Sequence, residues 1–322
     1  MFCDRQLHNP DFIQEFDRAS KAHERWQKEV DEIRSALKST RSKESALELQ
    51  RDARAAQKWL DLNRGEYERY VSARESLIVQ CLENYLRSLA AWDDCDSDAL
   101  RLFSIWLEWA EKSVANEVVS KQVDQVPSAK FAILMNQLTS ILQNDNSTFQ
   151  VTLKGLIARI CVDHPFQTLH HIFGPVHAQA HAKAEPSSSR SLAIRSIAES
   201  FTKSKTTLDI WYKVYKANSM YHDLARYRDK FITAGRDLTL ESVPPSAKLI
   251  GRIKDLKVPP ATLRIPLRRD KDYGSVPTVV SFLSKMTIAT GVSAPKIVTA
   301  IGSDGRRYKQ LVWRTLHDIL RC

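Results

Sequence analysis

Near the C-terminal end of the 322-residue sequence, Ile301-Gly302-Ser303-Asp304-Gly305 has the make-up of an anion-binding turn. Glycine lets backbone amides turn inward and approach a phosphate closely, and the serine hydroxyl adds a donor. The same Gly-x-x-Gly closes an ordinary hairpin, so spacing alone leaves both readings open. His177 and His181 stand four apart within a cluster that includes His164, His170 and His171. On a helix that puts two imidazoles on one face for zinc, but no carboxylate or cysteine at ligand spacing completes a tetrahedral set, and no metal site is expected. Aromatic and basic residues interleave in Trp211-Tyr212-Lys213-Val214-Tyr215-Lys216 and in Tyr227-Arg228, a pattern suited to stacking bases and neutralising phosphates. At helical spacing, however, Leu208, Trp211, Tyr212 and Tyr215 make one core face with lysines snorkelling beside it, and direct nucleic-acid binding is not expected. No Gly-x-Ser-x-Gly, His-Glu-x-x-His or Walker lysine motif occurs, so hydrolase, zinc-protease and P-loop classes have no support.

These groups sit on a chain made of two materials. Residues 11 to about 62 are almost free of Gly and Pro and rich in Glu, Lys, Arg, Ala and Leu. Two exposed helices are expected there, broken near Ser39-Thr40. Tyr67, Tyr70, Leu77, Ile78, Cys81, Leu82, Tyr85, Leu86 and Leu89 then give a separate helix with a broad apolar face. After turn residues at 92–97, another stripe runs from Leu100 to Trp109. Pro127-Ser128 opens a helix carrying Phe131 to Leu142, and Ser147 with Gln150 has capping-box spacing. Asp163 and Pro165 suit a helix start, and Gly174-Pro175 a stop. A polar loop is expected at 182–190 and helix again from Ser191 to about Lys230. Successive striped helices bury their faces by stacking as antiparallel pairs, the logic of an α-solenoid.

The last quarter changes period. Six of the nine glycines and seven of the twelve prolines lie from Gly235 onward. Pro244-Pro245 and Pro259-Pro260 forbid one continuous helix. Strands are expected at Thr262–Leu267, Val276–Phe282, Lys296–Ile301 and Arg307–Val312, with turns at 270–274, 291–295 and 303–305, an antiparallel pattern. The fold class is therefore mainly α, followed by a small β-rich part.

Apolar residues at 43% and charged residues at 27% exclude collagen-like, disulfide-scaffold and wholly disordered classes. From Lys203 onward, 23 Lys and Arg face 10 Asp and Glu, so the formal +10 belongs to the C-terminal part. Basic charge usually solvates a surface, and charge alone does not assign a phosphate-rich partner. Five scattered cysteines without a CxxC pair suit reduced thiols in the cytosol or nucleus. No apolar run long enough to span a bilayer occurs, and no membrane partner is expected.

Several segments, in order, resemble the kinases related to phosphatidylinositol 3-kinase, above all the ataxia-telangiectasia-mutated (ATM) type with its fungal telomere-maintenance relatives. They are Cys81 to Leu86, Val126 to Phe131 with Leu134 and Gln137, Asp163-His164-Pro165 with Thr168-Leu169, Pro260 to Leu263, Tyr273 to Val280, Gly291 to Ile297, and Gly302 to Leu311. The resemblance implies a helical FAT-type solenoid over 1–200, a connector over 201–258 and the beginning of a kinase N-lobe over 259–322. It implies a nucleotide-phosphate loop at Ile301, Gly302, Ser303, Asp304, Gly305 and Arg306. In the family ATP and magnesium are bound, the protein is a dimer recruited to DNA by double-strand-break sensors, and the setting is the nucleus and telomeric chromatin.

One departure bears on activity. The family places a phosphate-holding lysine three residues beyond the position of Gln310, and here that residue is Trp313. Indole carries no charge, so it cannot replace an ammonium opposite phosphate oxygens, and Lys309 and Arg314 fall out of step. The catalytic loop and the metal-binding Asp-Phe-Gly segment do not follow. The expectation is a fragment of a serine/threonine protein kinase from a truncated, alternatively spliced or misannotated gene product, catalytically inactive alone and without tight ATP or magnesium binding. Its other partner would be the rest of the kinase polypeptide. The alternative is a freestanding α-helical scaffold for protein–protein interaction.

Overall fold

The computed structural model describes residues 2–92, 96–181, 188–227, 237–240, 243, 248, 257–290 and 294–313. By packing, the chain divides into two compact units, Met1–Val126 and Pro127–Cys322. The boundary falls inside the helical stretch expected over 1–200.

The first unit is built on two long helices. Asn9 caps α2 (Pro10–Ser39) by accepting from the Asp11 amide, and Pro10 takes the first helical position, where no hydrogen-bond donor is needed. The expected break at 39–40 is present, and α3 starts at Lys43. α3 (Lys43–Ala91) then runs unbroken for 49 residues, joining two helices that the sequence separated. Packing carries it through Gly65, because α2 grips both sides: Trp26 stacks on Trp59, His23 on Tyr67, and Phe12 meets Tyr70 edge-on. The second half of α3 buries Ile78, Cys81, Leu82, Leu86 and Leu89. It packs against α1 (Phe2–Leu7), α4 (Asp96–Glu108) and α5 (Ser113–Gln122), the first and last not expected from the sequence.

A polar clamp fixes α1. The Arg101 guanidinium donates to both Asp4 carboxylate oxygens, at 2.8 and 2.5 Å, and the Tyr85 hydroxyl donates to Asp4 at 2.7 Å. The Arg101 hydrogen bond outweighs burial and holds the Asp4 carboxyl down at about 2.

In the second unit the helix expected over Phe131 to Leu142 is two short ones, α6 (Ala129–Ala132) and α7 (Met135–Ser140), separated where Leu134 N–H donates to Phe131 O. Ser147 caps α8 (Thr148–Asp163) by accepting from the Gln150 amide. The capping box is half-formed, since the Gln150 side chain donates to Ile141 O and accepts from the Gln143 amide instead. α9 (Pro165–His181) passes through Gly174-Pro175, correcting the expected stop. Phe173 and His177 on either side of that pair both pack on Tyr215, contacts that offset the one backbone bond a proline removes. α10 (Ser189–Ser200) and α11 (Lys205–Arg226) follow, capped by Ser188 and Ser204. Of the polar loop expected at 182–190, residues 182–187 lie outside the described residues.

The core face of α11 differs from the expected one. Val214, Ala217, Met220 and Leu224 are buried, whereas Leu208 and Tyr212 are exposed. Trp211 and Tyr215 pack at half-burial, Trp211 against Phe201. The buried face of α11 lies on an antiparallel five-stranded sheet. Its strands are β1 (Asp237–Thr239), β2 (Val279–Phe282), β3 (Lys285–Ile288), β4 (Lys296–Gly302) and β5 (Arg307–Val312). One edge of β4 pairs with β3 at its start and with β2 at its end, and the other edge pairs with β5. The expected strand at Thr262–Leu267 is absent: after a turn closed by Leu263 N–H on Pro260 O the chain is irregular, and Pro266 has no amide to donate to a ladder. β1 and β3 were not expected. The proline pair at 244–245 lies outside the described residues.

Candidate functional site: the β4–β5 hairpin

The two strands pair from Lys296–Val312 at one end to Ile301–Arg307 at the other. Gly305 adopts φ +75°, the left-handed conformation that closes a three-residue loop at least cost for glycine. Gly302 is needed for space: a Cβ there would collide with the Asp304 carboxylate and lie 2.7 Å from the Tyr308 ring.

The turn is closed on itself. Gly302 N–H donates to Arg306 O, Gly305 N–H to Gly302 O, Ser303 N–H to Thr278 O and Arg306 N–H to Asp304 Oδ1. The Ser303 hydroxyl accepts from Thr278 N–H at 3.1 Å, and the Tyr308 hydroxyl donates to Asp304 at 2.6 Å. That bond lowers the Asp304 carboxyl and raises the Tyr308 phenol. Ser303, Asp304, Gly305 and Arg306 are exposed, Gly302 is buried and Ile301 is half-buried. In this conformation the amides of 302, 303, 305 and 306 are committed within the protein, so a phosphate would have to displace these bonds.

The register also separates two positions that the family resemblance brings together. Trp313 follows the Lys296–Val312 end, whereas Gly302 to Gly305 lie beyond the Ile301–Arg307 end. Six or so residues at about 3.3 Å each put them about 20 Å apart, farther than one triphosphate bridges. Trp313 is 63% exposed. Among the described residues, neither Lys296 nor Lys309 supplies an ammonium at position 313. The Lys296 side chain is buried on the α11 side and donates to Ala225 O at 2.8 Å, while Lys309 sits mid-strand opposite Thr299. Arg314 lies outside the described residues.

Alternation gives the hairpin two faces. Lys296, Val298, Ala300, Gln310 and Val312 are buried toward α11, and Gln310 is held there by the Tyr221 hydroxyl, which donates to it at 2.7 Å. The opposite face carries Ile297 opposite Leu311, with Leu311 54% exposed. This apolar pair next to Trp313 was missed in the sequence, because β4 is apolar on both faces and its alternation is hidden.

The other flagged groups do not converge. His177 is buried with its ring 4.5 Å from that of His222, and His170 lies against His171, whose pKa burial pushes down to about 4. The side chain of His181 lies outside the described residues. Among the described residues no group of three or more His, Cys, Asp or Glu could hold a metal ion, and no helix is long and apolar enough to cross a membrane.

No protein-family model matches the chain. Curated relatives do. Serine/threonine-protein kinase tel1 of Neurospora crassa is 39% identical over 314 residues, covering 97% of this chain and 11% of the relative. TEL1 of Gibberella zeae is 37% identical over 322 residues, covering 100% and 11%. Serine-protein kinase ATM of Sus scrofa is 27% identical over 278 residues, covering 80% and 9%. Among solved structures, the FAT and kinase domain of CtTel1 superposes with a TM-score of 0.82 at 38% identity, over 96% of this chain and 20% of that one. The complete CtTel1 dimer gives 0.83 at 38% identity, over 97% and 11%. The chain thus spans about a tenth of the length of these curated relatives. The fold and this hairpin belong to the protein kinases related to phosphatidylinositol 3-kinase. Within that family the chain is a portion of the ATM/Tel1 type.

Proposed function

We propose that this chain is the junction between the helical FAT-type array and the start of the kinase N-lobe in an ATM/Tel1-type serine/threonine protein kinase. The whole protein signals from DNA double-strand breaks and maintains telomeres in the nucleus, working as a dimer recruited by break-sensing proteins and using ATP with magnesium. What supports this reading is the near-complete superposition, at 38% identity, on a solved FAT and kinase domain. The helices form the paired solenoid of that array.

These 322 residues by themselves do not transfer a phosphoryl group. The supporting observation is Trp313: an uncharged, exposed indole stands where phosphate oxygens need an ammonium, and Lys296 is turned toward Ala225 O. Where the complete protein binds nucleotide, the apolar Ile297 and Leu311 face beside position 313 accepts the base. Ile301 to Arg306 are then too far from position 313 to hold the same triphosphate, and the backbone bonds that close their turn stay intact. The test incubates the purified chain with magnesium, labelled ATP and a serine-containing protein substrate. No incorporation is expected, and ATP-dependent labelling above a heat-killed control would overturn the claim.

A further inference from the structure

His164 links α8 to α9 and is 0% exposed. Its backbone N–H donates to Ile160 O at 2.8 Å, and its carbonyl accepts from the Thr168 hydroxyl at 2.6 Å. Both ring nitrogens are engaged as well: Nε2 lies 3.1 Å from Ser128 Oγ, and Nδ1 lies 2.6 Å from the Tyr273 hydroxyl.

Counting protons assigns every donor. The Ser128 hydroxyl donates to Asp163 Oδ2 at 2.6 Å, so its single proton is used and its oxygen accepts from His164. Nε2 therefore carries the hydrogen. Nδ1 is the lone-pair nitrogen, and the Tyr273 hydroxyl donates to it while accepting from the Arg268 amide at 3.2 Å. The relay runs one way, from the Arg268 amide to the Asp163 carboxylate, where the Lys271 ammonium closes it at 2.9 Å.

We propose that His164 is the socket of a proton-sensitive latch. In its neutral Nε2–H form it locks Tyr273, and through it the 257–278 segment leading into β2, against α8 and the start of α6; a second proton on the imidazole releases the segment.

The chemistry follows from the inventory of hydrogens. A protonated Nδ1 becomes a donor facing a donor, and the Tyr273 hydrogen then has to find another acceptor in a site where that tyrosine is 8% exposed. Asp163 favours the imidazolium, Lys271 opposes it, and burial, the largest influence, opposes it too, so His164 titrates below its ordinary 6.5. The locked form refuses a proton that the loosened form accepts. The latch is therefore intact above 6.5 and weakens as pH falls through that value. Tyr273 is further gripped by the Phe166 ring, and Gln167 donates to Pro266 O at 3.4 Å.

Two measurements on the 322-residue chain test this. With 15N-labelled histidine, NMR is expected to give a pyrrole-like Nε2 and a pyridine-like Nδ1 for His164; the opposite tautomer overturns the proposal. Amide exchange over 266–278, corrected for intrinsic rates, is expected to speed up about tenfold between pH ~7.5 and ~5.5. In Tyr273→Phe it is expected to be fast at both values, because the bond that protonation disrupts is already missing. Unchanged protection in the native chain across that range overturns the latch. Because His170 and His171 also titrate low, a pH response that persists in full in Tyr273→Phe assigns the effect to them and equally overturns it. Should that variant not fold, the tautomer measurement on the native chain still decides.

Discussion

Two polar clusters, one in each packing unit, pin a chain segment to helices. At Asp4 the work is done by charge: a carboxylate held at about 2 takes two hydrogen bonds from Arg101 and one from Tyr85, at a site where Arg101 is 39% exposed. At His164 it is done by a neutral imidazole with no exposure, in a chain of donors whose direction is fixed by a single serine proton. Water reaches Arg101 in the first cluster, and in the second it reaches Lys271 but not the His164 ring. Losing one member should therefore cost more at His164, and acid should act on the two in separate ranges.

The contrast is sharpest at Ser128. Ser128→Ala leaves the buried Nε2–H without its acceptor and removes a donor from Asp163, and an unfolding midpoint in urea is expected to fall by the equivalent of about 2–3 kcal/mol. Arg101→Ala is expected to cost less, about 1–2 kcal/mol, because solvent reaches the abandoned carboxylate. If Arg101→Ala proves the more damaging, burial is not what separates the clusters. Gly305→Ala puts a Cβ on a residue at φ +75° and is expected to lower the same midpoint by about 1 kcal/mol.

Acid titration separates the pair directly. Asp4 has a folded pKa of about 2 against an ordinary 3.8, so its contribution is present above 3.8 and lost as pH falls toward 2. His164 is depressed from 6.5, so its loss begins near neutrality. Stability followed by circular dichroism is expected to decline in two steps, and Arg101→Ala is expected to remove only the lower one. The smallest effect is expected at the Lys28–Glu32 pair on α2, where the side chains are 79% and 67% exposed. Lys28→Ala there should change stability by no more than about 0.5 kcal/mol.

Local signals read correctly wherever nothing distant competed with them. The break at 39–40, the Ser147 cap and the Arg307–Val312 strand follow from propensity, capping chemistry and turn residues. Errors cluster where packing overrides a breaker. Gly174-Pro175 looks like a stop, and the sequence parts two helices between 62 and 67, where Gly65 lies, yet aromatic contacts on either side carry α9 and α3 through. Thr262–Leu267 has strand-like residues but Pro266 and, among the described residues, no partner strand. At the hairpin, both the glycine turn and Trp313 were legible. Their separation was not, because only the register of β4 on β5 shows that they occupy opposite ends. The His164 relay was equally hidden, since its partners Ser128 and Tyr273 are 36 and 109 residues away in sequence.

The 49 residues of α3 extend about 74 Å at 1.5 Å per residue. The first half is gripped by α2 and the second by α1, α4 and α5, so the helix acts as a shared axle. Rotation imposed at one end cannot be absorbed locally without breaking backbone bonds in between. The place where bending is cheapest is Gly65, which has no side chain and open space where a Cβ would sit.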